Sequence, residues 1–319
     1  MAWQNLLISR PARLSLKNRQ LRCEQESGEL NLALEDITSI VLESPQITLT
    51  SALMAACAYE NIAIITCDET HTPNGLLTSF LPHSRQAGML RTQMAWSKPF
   101  TKRLWQLVVK QKITNQAAAL KHCGREHARL TKLATEVDSG DTKNCEAQAA
   151  RLYFNVLFEG VSHDTFRRHG DDLPNAALNY GYAILRAAIA RELVQFGFIP
   201  ALGIHHCSEL NAFNLADDLI EPFRPFVDAH ICINGIGLNG DLNDVAQHKE
   251  HAEGGLTLQE RASLVQSLQL ACVLAGERHT LLHAIHLTVK SLSTASESAK
   301  PDKLRLPSMP REFGLKLMS

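Results

Sequence analysis

Residues 203–228, GIHHCSELNAFNLADDLIEPFRPFVD, gather histidines, carboxylates and helix-breaking prolines into an otherwise apolar stretch, and the rest of the chain is read outward from it. With Asn214 as an N-cap and Asp217 three residues on, a short helix opens in which Asp217, Asp218 and Glu221 fall at i, i+1 and i+4 and share one face. Pro222 ends or kinks that helix just after Glu221, and Pro225 repeats the break. Carboxylates beside an imidazole suit a hard divalent ion such as Mg²⁺ or Mn²⁺, and no thiolate pair lies near to argue for zinc. The same spacing also describes a capped, solvated helix followed by a turn.

The chain as a whole bounds what this stretch can belong to. At 319 residues, 45% hydrophobic and 20% charged, it has the composition of a globular protein large enough for two domains and a sizeable core. Its eight cysteines are scattered without a CxxC pair, which fits a reducing cytoplasm. The opening MAWQNLLISRPARLSL lacks a basic segment followed by a long apolar one, and no uninterrupted apolar run reaches about 18 residues, so neither secretion nor a membrane span is expected. A formal net charge of −1 means that any DNA contact must come from local clusters of Lys and Arg. Without a phosphate-cradling glycine loop or a dinucleotide fingerprint, neither ATP nor NAD is implied.

Residues 1–84 carry short alternating segments, Trp3–Ile8, Arg13–Leu16, Gln20–Cys23, Leu30–Leu34 and Thr38–Leu42, with Lys17-Asn18-Arg19 as a hairpin turn. They predict a β-meander or small sandwich. One helix, Thr50–Glu60, packs on it ahead of the buried run Ile62–Ile65, and Glu69–Gly75 is turn chemistry. From about Arg85 the period is helical, with candidates at Arg85–Trp96, Phe100–Glu136, Asn144–Phe158, Pro174–Phe196, Asn214–Glu221, Leu256–Leu274 and Arg278–Leu292. The expected class is α+β: a small N-terminal β-rich domain (1–84), a larger, mostly α-helical catalytic domain (85–294), and a Pro- and Lys-containing tail (295–319) that reads as mobile.

Two further features stand out. On the long helix, Lys121, Arg125, Arg129 and Lys132 recur as a basic stripe, able to track a phosphate backbone or simply to face solvent. Glu146 shares a face with Ala149, Ala150, Tyr153 and Leu157. An acid on that apolar stripe must be paired or bind something, whereas in an exposed first turn it would only complement the helix dipole.

Taken together, Gly203-Ile204-His205-His206, the run Phe213–Pro225, Glu146 ahead of Ala149-Ala150-Arg151, and the helix Asn175–Tyr182 resemble the CRISPR-associated integrases that acquire spacers. The blocks stand in the family's order over nearly the whole chain. Trp3, Trp96-Ser97 and Arg151-Leu152-Tyr153-Phe154-Asn155 are similar to its type II branch, subtype II-C. The resemblance implies a β domain that dimerises and a helical domain that holds a metal site. It also implies a homodimer, joined through a small CRISPR-associated adaptation subunit into a heterohexamer on double-stranded DNA, the prespacer and the CRISPR repeat. It implies Glu146, His206 and Glu221 as the catalytic residues and as ligands of Mg²⁺ or Mn²⁺. The family pattern of glycine, two residues, histidine selects His206 over His205; Asp218, with Asp217 and His205, takes a supporting role.

Two carboxylates and one imidazole leave room on a divalent ion for water and a phosphate oxygen, which suits phosphoryl transfer. The expected reaction is transesterification: a DNA 3′-hydroxyl attacks a repeat phosphodiester and inserts a short foreign fragment, with metal-dependent endonuclease activity beside it. The alternative is a non-catalytic DNA-binding scaffold of the adaptation complex. A zinc hydrolase using His205, His206 and Cys207 is poor, because three consecutive residues do not easily converge on one tetrahedral ion.

Overall fold

The computed structural model describes residues 4–80, 86–160, 166–168, 170, 172–238 and 255–313. Its central strand, β5 (Ile37–Leu42, ITSIVL), is buried at every position, as a strand covered on both faces must be. β5 lies parallel between β1 (Gln4–Ile8) and β7 (Ala63–Cys67), and β8 (Pro73–Leu77) closes the sheet antiparallel to β7. Trp3, expected to open β1, lies outside the described residues. Between β5 and β7 runs α1 (Ser51–Tyr59), whose first turn is capped by the Thr50 hydroxyl accepting from the Leu53 N–H. A second sheet runs β4 (Gly28–Ala33), β3 (Gln20–Gln25), β2 (Ala12–Lys17), β6 (Ile47–Leu49), with Asn18 and Arg19 both at positive φ in the expected hairpin turn. β2, β3 and β4 form a three-stranded meander, and the parallel pairs of β1, β5, β6 and β7 exclude one for the region as a whole.

The first sheet belongs to two cores at once. Ile40, Leu42 and Ile64 face Leu14, Leu21 and Leu53 between the sheets and α1, whereas Val41 and Ile65 face the helices. That split is the two-residue alternation of a strand. Buried polar groups fix the junction: Glu43 accepts from the Tyr180 hydroxyl and from Arg261 Nε, each at 2.9 Å, and Arg191 donates to the Thr38 carbonyl at 3.0 Å. The expected boundary near Arg85 lies outside the described residues, between β8 and α2 (Gln86–Met94).

The helical part comprises α3 (Lys98–His122), α4 (Ala128–Glu136), α5 (Cys145–Leu157), α6 (Leu173–Gln195), α7 (Asn214–Ile220), α8 (Arg224–Asn234), α9 (Leu258–Val265) and α10 (Leu281–Ser298). Four sequence expectations are corrected here. Phe100–Glu136 is two helices, because Gly124 at φ +68° takes the left-handed turn that ends α3. Leu256–Leu274 ends in a 3-10 turn and β9 (Ala271–Leu274), which pairs with β10 (Glu277–Thr280), leaving α10 to start after the expected Arg278. Pro225 sits in the first turn of α8, where a missing N–H is harmless, and so begins a helix rather than breaking one. The tail through residue 313 is packed: Leu304 is buried, Ser308 bridges Val273, and Phe313 lies against His122 and Phe226.

α5, α6 and α8 are tied below the candidate site by Asp228, which accepts from the Tyr153 hydroxyl at 2.9 Å and the Tyr182 hydroxyl at 2.5 Å. Burial pushes the Asp228 carboxyl up to about 7, even though both tyrosines and Arg224 favour its anion. A carboxyl raised above its unfolded value of about 3.9 stabilises the fold fully below that value, and the contribution is lost as pH rises through 7. Three pH units correspond to about 4 kcal/mol. Denaturant unfolding of Asp228→Asn is therefore expected to lose less stability than the wild type between pH 4 and 8, by an amount of that order; parallel pH curves would refute the buried-acid assignment.

Candidate active site

The site is organised by one face of α3, on which Trp105, Lys112 and Asn115 follow one another at helical spacing. Lys112 is buried, and its ammonium donates to Glu146 Oε1 at 2.7 Å and pairs with Glu221 Oε2. Asn115 is fully buried and donates to the carbonyls of Pro222, at 2.7 Å, and Pro307, at 2.9 Å. It thereby holds the chain immediately after Glu221.

Glu146 stands in the first turn of α5, whose leading N–H groups at Cys145 and Glu146 are accepted by Asp141 at 2.8 and 3.0 Å. The buried stripe of that helix is Cys145, Ala149, Tyr153 and Leu157, so Glu146 sits at its edge, 27% exposed, and is paired. Glu221 is 4% exposed and follows the last turn of α7, with Arg224 Nε 3.4 Å from its other oxygen. Burial alone would push the Glu221 carboxyl up, but Arg224 and Lys112 outweigh it and leave the group below the usual carboxylate range. Burial likewise disfavours the Lys112 ammonium, yet Glu221 and Glu146 hold its pKa above the ordinary value. Both acids pair with the same buried cation.

The second half of the site is the loop 203–208. Asp218, buried on α7, accepts from the backbone N–H groups of Ile204, His205 and His206, and from His206 Nδ1 at 2.7 Å. This assigns the proton to Nδ1 and leaves Nε2 as the outward lone pair. Gly203 is required by contact: a Cβ there would lie 2.2 Å from the His206 carbonyl oxygen and 2.8 Å from Asp218 Oδ2. His205 points elsewhere, stacked on Trp105 with centroids 4.2 Å apart and planes 2° from parallel, while His206 meets the same indole edge-on at 5.9 Å. The two histidines divide the work, and with Cys207 exposed the trio does not form a zinc cage.

Other sequence expectations change. Asp217, Asp218 and Glu221 diverge instead of sharing a face, since Asp217 pairs with Arg186 at 2.9 Å. Asn214 does not cap α7; its buried amide donates to the carbonyls of Ala201 and Ser208 and shapes the histidine loop. The basic stripe is broken: Lys121 ends α3, Arg125 lies in the connection and donates to the Glu159 carbonyl, and Arg129 and Lys132 are exposed on α4. Sequence reading missed Trp105, Lys112 and Asn115. The signal for Lys112 was its place among Val108, Val109 and Ile113 on a core-facing stripe.

Among the described residues, no three His, Cys, Asp or Glu side chains converge as a metal-binding group. The donor chemistry nevertheless fits a hard divalent ion: two carboxyl groups already share one cation, and an imidazole is oriented by a carboxylate that leaves its Nε2 available.

Residues 6–266 match the family model described as CRISPR associated protein Cas1. The chain is also 40% identical, over 309 residues and 96% of each chain, to the CRISPR-associated endonuclease Cas1 of Neisseria meningitidis serogroup C (strain 8013). The chain belongs to the Cas1 family. Its fold is shared with a casposase bound to integration product, at a TM-score of 0.73 and 16% identity over 94% of this chain and 92% of that one. A chain of a Cas6-RT-Cas1–Cas2 complex superposes at a TM-score of 0.70 and 21% identity, covering 98% of this Cas1-family chain and 36% of that longer one. No helix among the described residues is long and apolar enough to cross a membrane.

The hydrogen bond to Asp218 raises the His206 pKa above its ordinary value, and burial offsets this only in part. The raised value means that the His206–Asp218 pair stabilises the fold below about pH 6.5 and that this contribution is lost as pH rises through the folded pKa. Titration of His206 by NMR in EDTA is expected to fall towards the ordinary histidine value in Asp218→Asn. An unmoved titration would detach His206 from Asp218.

Proposed function

We propose that this chain is a metal-dependent DNA integrase that inserts short foreign fragments into a CRISPR array, with endonuclease activity as a side reaction. The observation that carries the proposal is the meeting of Glu146 and Glu221, far apart in sequence, on one buried cation beside a carboxylate-oriented His206. Glu146, Glu221 and His206 Nε2 would hold Mg²⁺ or Mn²⁺. Bound there, the ion supplies charge stabilisation to a phosphate under in-line attack. Asp218 fixes the tautomer and direction of His206, Trp105 and His205 fix the loop that carries it, and Asn115 fixes the backbone after Glu221. An attacking DNA 3′-hydroxyl forms one phosphodiester as the leaving 3′-oxygen of the repeat breaks another, so no external energy source is needed.

Membership of the Cas1 family, and structural neighbours seen in a Cas1–Cas2 complex and in a Cas1–DNA complex, support DNA and a Cas2-like small subunit as partners. The reaction needs two strand transfers at separated phosphates, which one site cannot perform, so we propose a homodimer formed through the strand-rich region, 1–84. The helical region, 85–294, would provide the catalytic domain. Exposed Lys121, Arg129 and Lys132 would then serve as separate phosphate contacts rather than as one track.

Glu146→Ala, His206→Ala and Glu221→Ala are each expected to lower strand transfer by at least about 10²-fold while sparing most DNA binding, which phosphate contacts dominate. His205→Ala, losing only the Trp105 stack, is expected to be milder. A gel-based integration assay with Mg²⁺, Mn²⁺ or EDTA reads both; DNA binding without metal-dependent transfer would instead identify a scaffold. Light scattering of the purified chain is expected to give a dimer, and mixing in Glu221→Ala subunits should depress two-ended integration more than single-ended transfer. Two-ended integration by a monomer would sink the assembly.

A further inference from the structure

Lys112 has no place in the chemistry just described, although it is the group on which the site's two acids meet. Its ammonium is 9% exposed and pairs with Glu146 Oε1 and Glu221 Oε2 together. A lysine this deep is stable only because it is paired, and the two acids, were it absent, would repel one another across a partly dry site. Arg224 adds a second positive charge at Glu221. Two acids are thus matched by two cations. A divalent ion needs carboxylate oxygens at about 2.0–2.1 Å for Mg²⁺, closer than an ammonium hydrogen bond permits. An ion bridging Glu146 Oε1 and Glu221 Oε2 therefore competes with the Lys112 ammonium for those two oxygens.

We infer that Lys112 is a resident cation that holds Glu146 and Glu221 at bridging separation and must leave that bridge for a divalent ion to bind. This rests on the metal reading of the site given above. Lys112 is therefore a positioning residue with two opposed effects: it stabilises the protein when divalent ions are scarce, and it competes with them when they are present. Its four-carbon stem on α3 provides the reach to swing aside while the helix stays in place. The competition sets a threshold concentration of ion, below which the acids remain neutralised by the protein itself.

The experiment is a Mn²⁺ titration of the full-length protein followed by electron paramagnetic resonance, beside thermal melts in EDTA and in Mn²⁺. Lys112→Met is expected to bind Mn²⁺ at least about tenfold more tightly than the wild type, to melt lower in EDTA, and to gain more from saturating Mn²⁺. A merely structural lysine would give weaker or unchanged Mn²⁺ binding, and that result overturns the inference. Lys112→Arg, which retains the charge, should leave affinity within about threefold of the wild type; tightening as large as in Lys112→Met would also overturn it. Should Lys112→Met fail to fold, Lys112→Gln carries the same expectation and the same refutation. Glu146→Gln and Glu221→Gln in the wild-type background separate the two readings: if Mn²⁺ binding is indifferent to both, the metal site and this inference fall together. If it depends on them but ignores Lys112, only the inference falls.

Discussion

Two acidic side chains that arrive from different helices share a partly buried site most readily when positive charge lies between them. Here that charge is Lys112, and its demand shapes the helical half of the protein. α3 must run past the first turn of α5 and the end of α7 at once, with its apolar stripe continuing on either side of the lysine. A buried ion pair of this kind is weak evidence for stability, because desolvation offsets much of the attraction. Its value is geometric. It fixes which residues of three helices face one another, and an apolar residue at position 112 could pack as well without fixing any of them.

Around that contact the protein spends polar groups on placement. Asp218 takes three backbone N–H groups and an imidazole, Asn115 holds two carbonyls of distant segments, Asn214 holds two of the loop before it, and Asp228 joins two tyrosines. Each is a buried side chain that would be costly unpaired and is instead bonded. The histidine loop, which has no regular structure of its own, is ordered by side chains that come to it from α7 and α3. The sheet beneath the helices is equally committed, with one face in each core and Glu43 bonded across to α6 and α9.

The sequence was legible where local chemistry decides. Thr50 capping α1, the Asn18-Arg19 turn, the strand over Thr38–Leu42 and the change to helical period after the strands were all readable. It was illegible where a distant partner decides. Asn214 has the residue type and position of a cap, yet the carbonyls of Ala201 and Ser208 in the preceding loop claim its amide. Ala271–Leu274 continues a helical pattern and becomes a strand because a neighbouring hairpin partner and Ser308 pair with it. Lys112 was passed over because its partners, Glu146 and Glu221, come from other parts of the chain. The choice of His206 over His205 came from a family resemblance; the residues alone left it open, and the division between Trp105 and Asp218 is a tertiary fact.

Asn115 has a consequence in time as well as in space. Its side chain bonds Pro222, 107 residues later in the chain, and Pro307, 192 residues later. A polypeptide emerging from the ribosome therefore makes α3 long before either partner exists. The backbone beside Glu221 gains its final support only when the segment around Pro307 and Met309 arrives and lies against α3. Nascent chains that have passed Glu221 carry both acids and the histidine but not the Pro307 support, so the arrangement is finished only once the chain has extended beyond Met309.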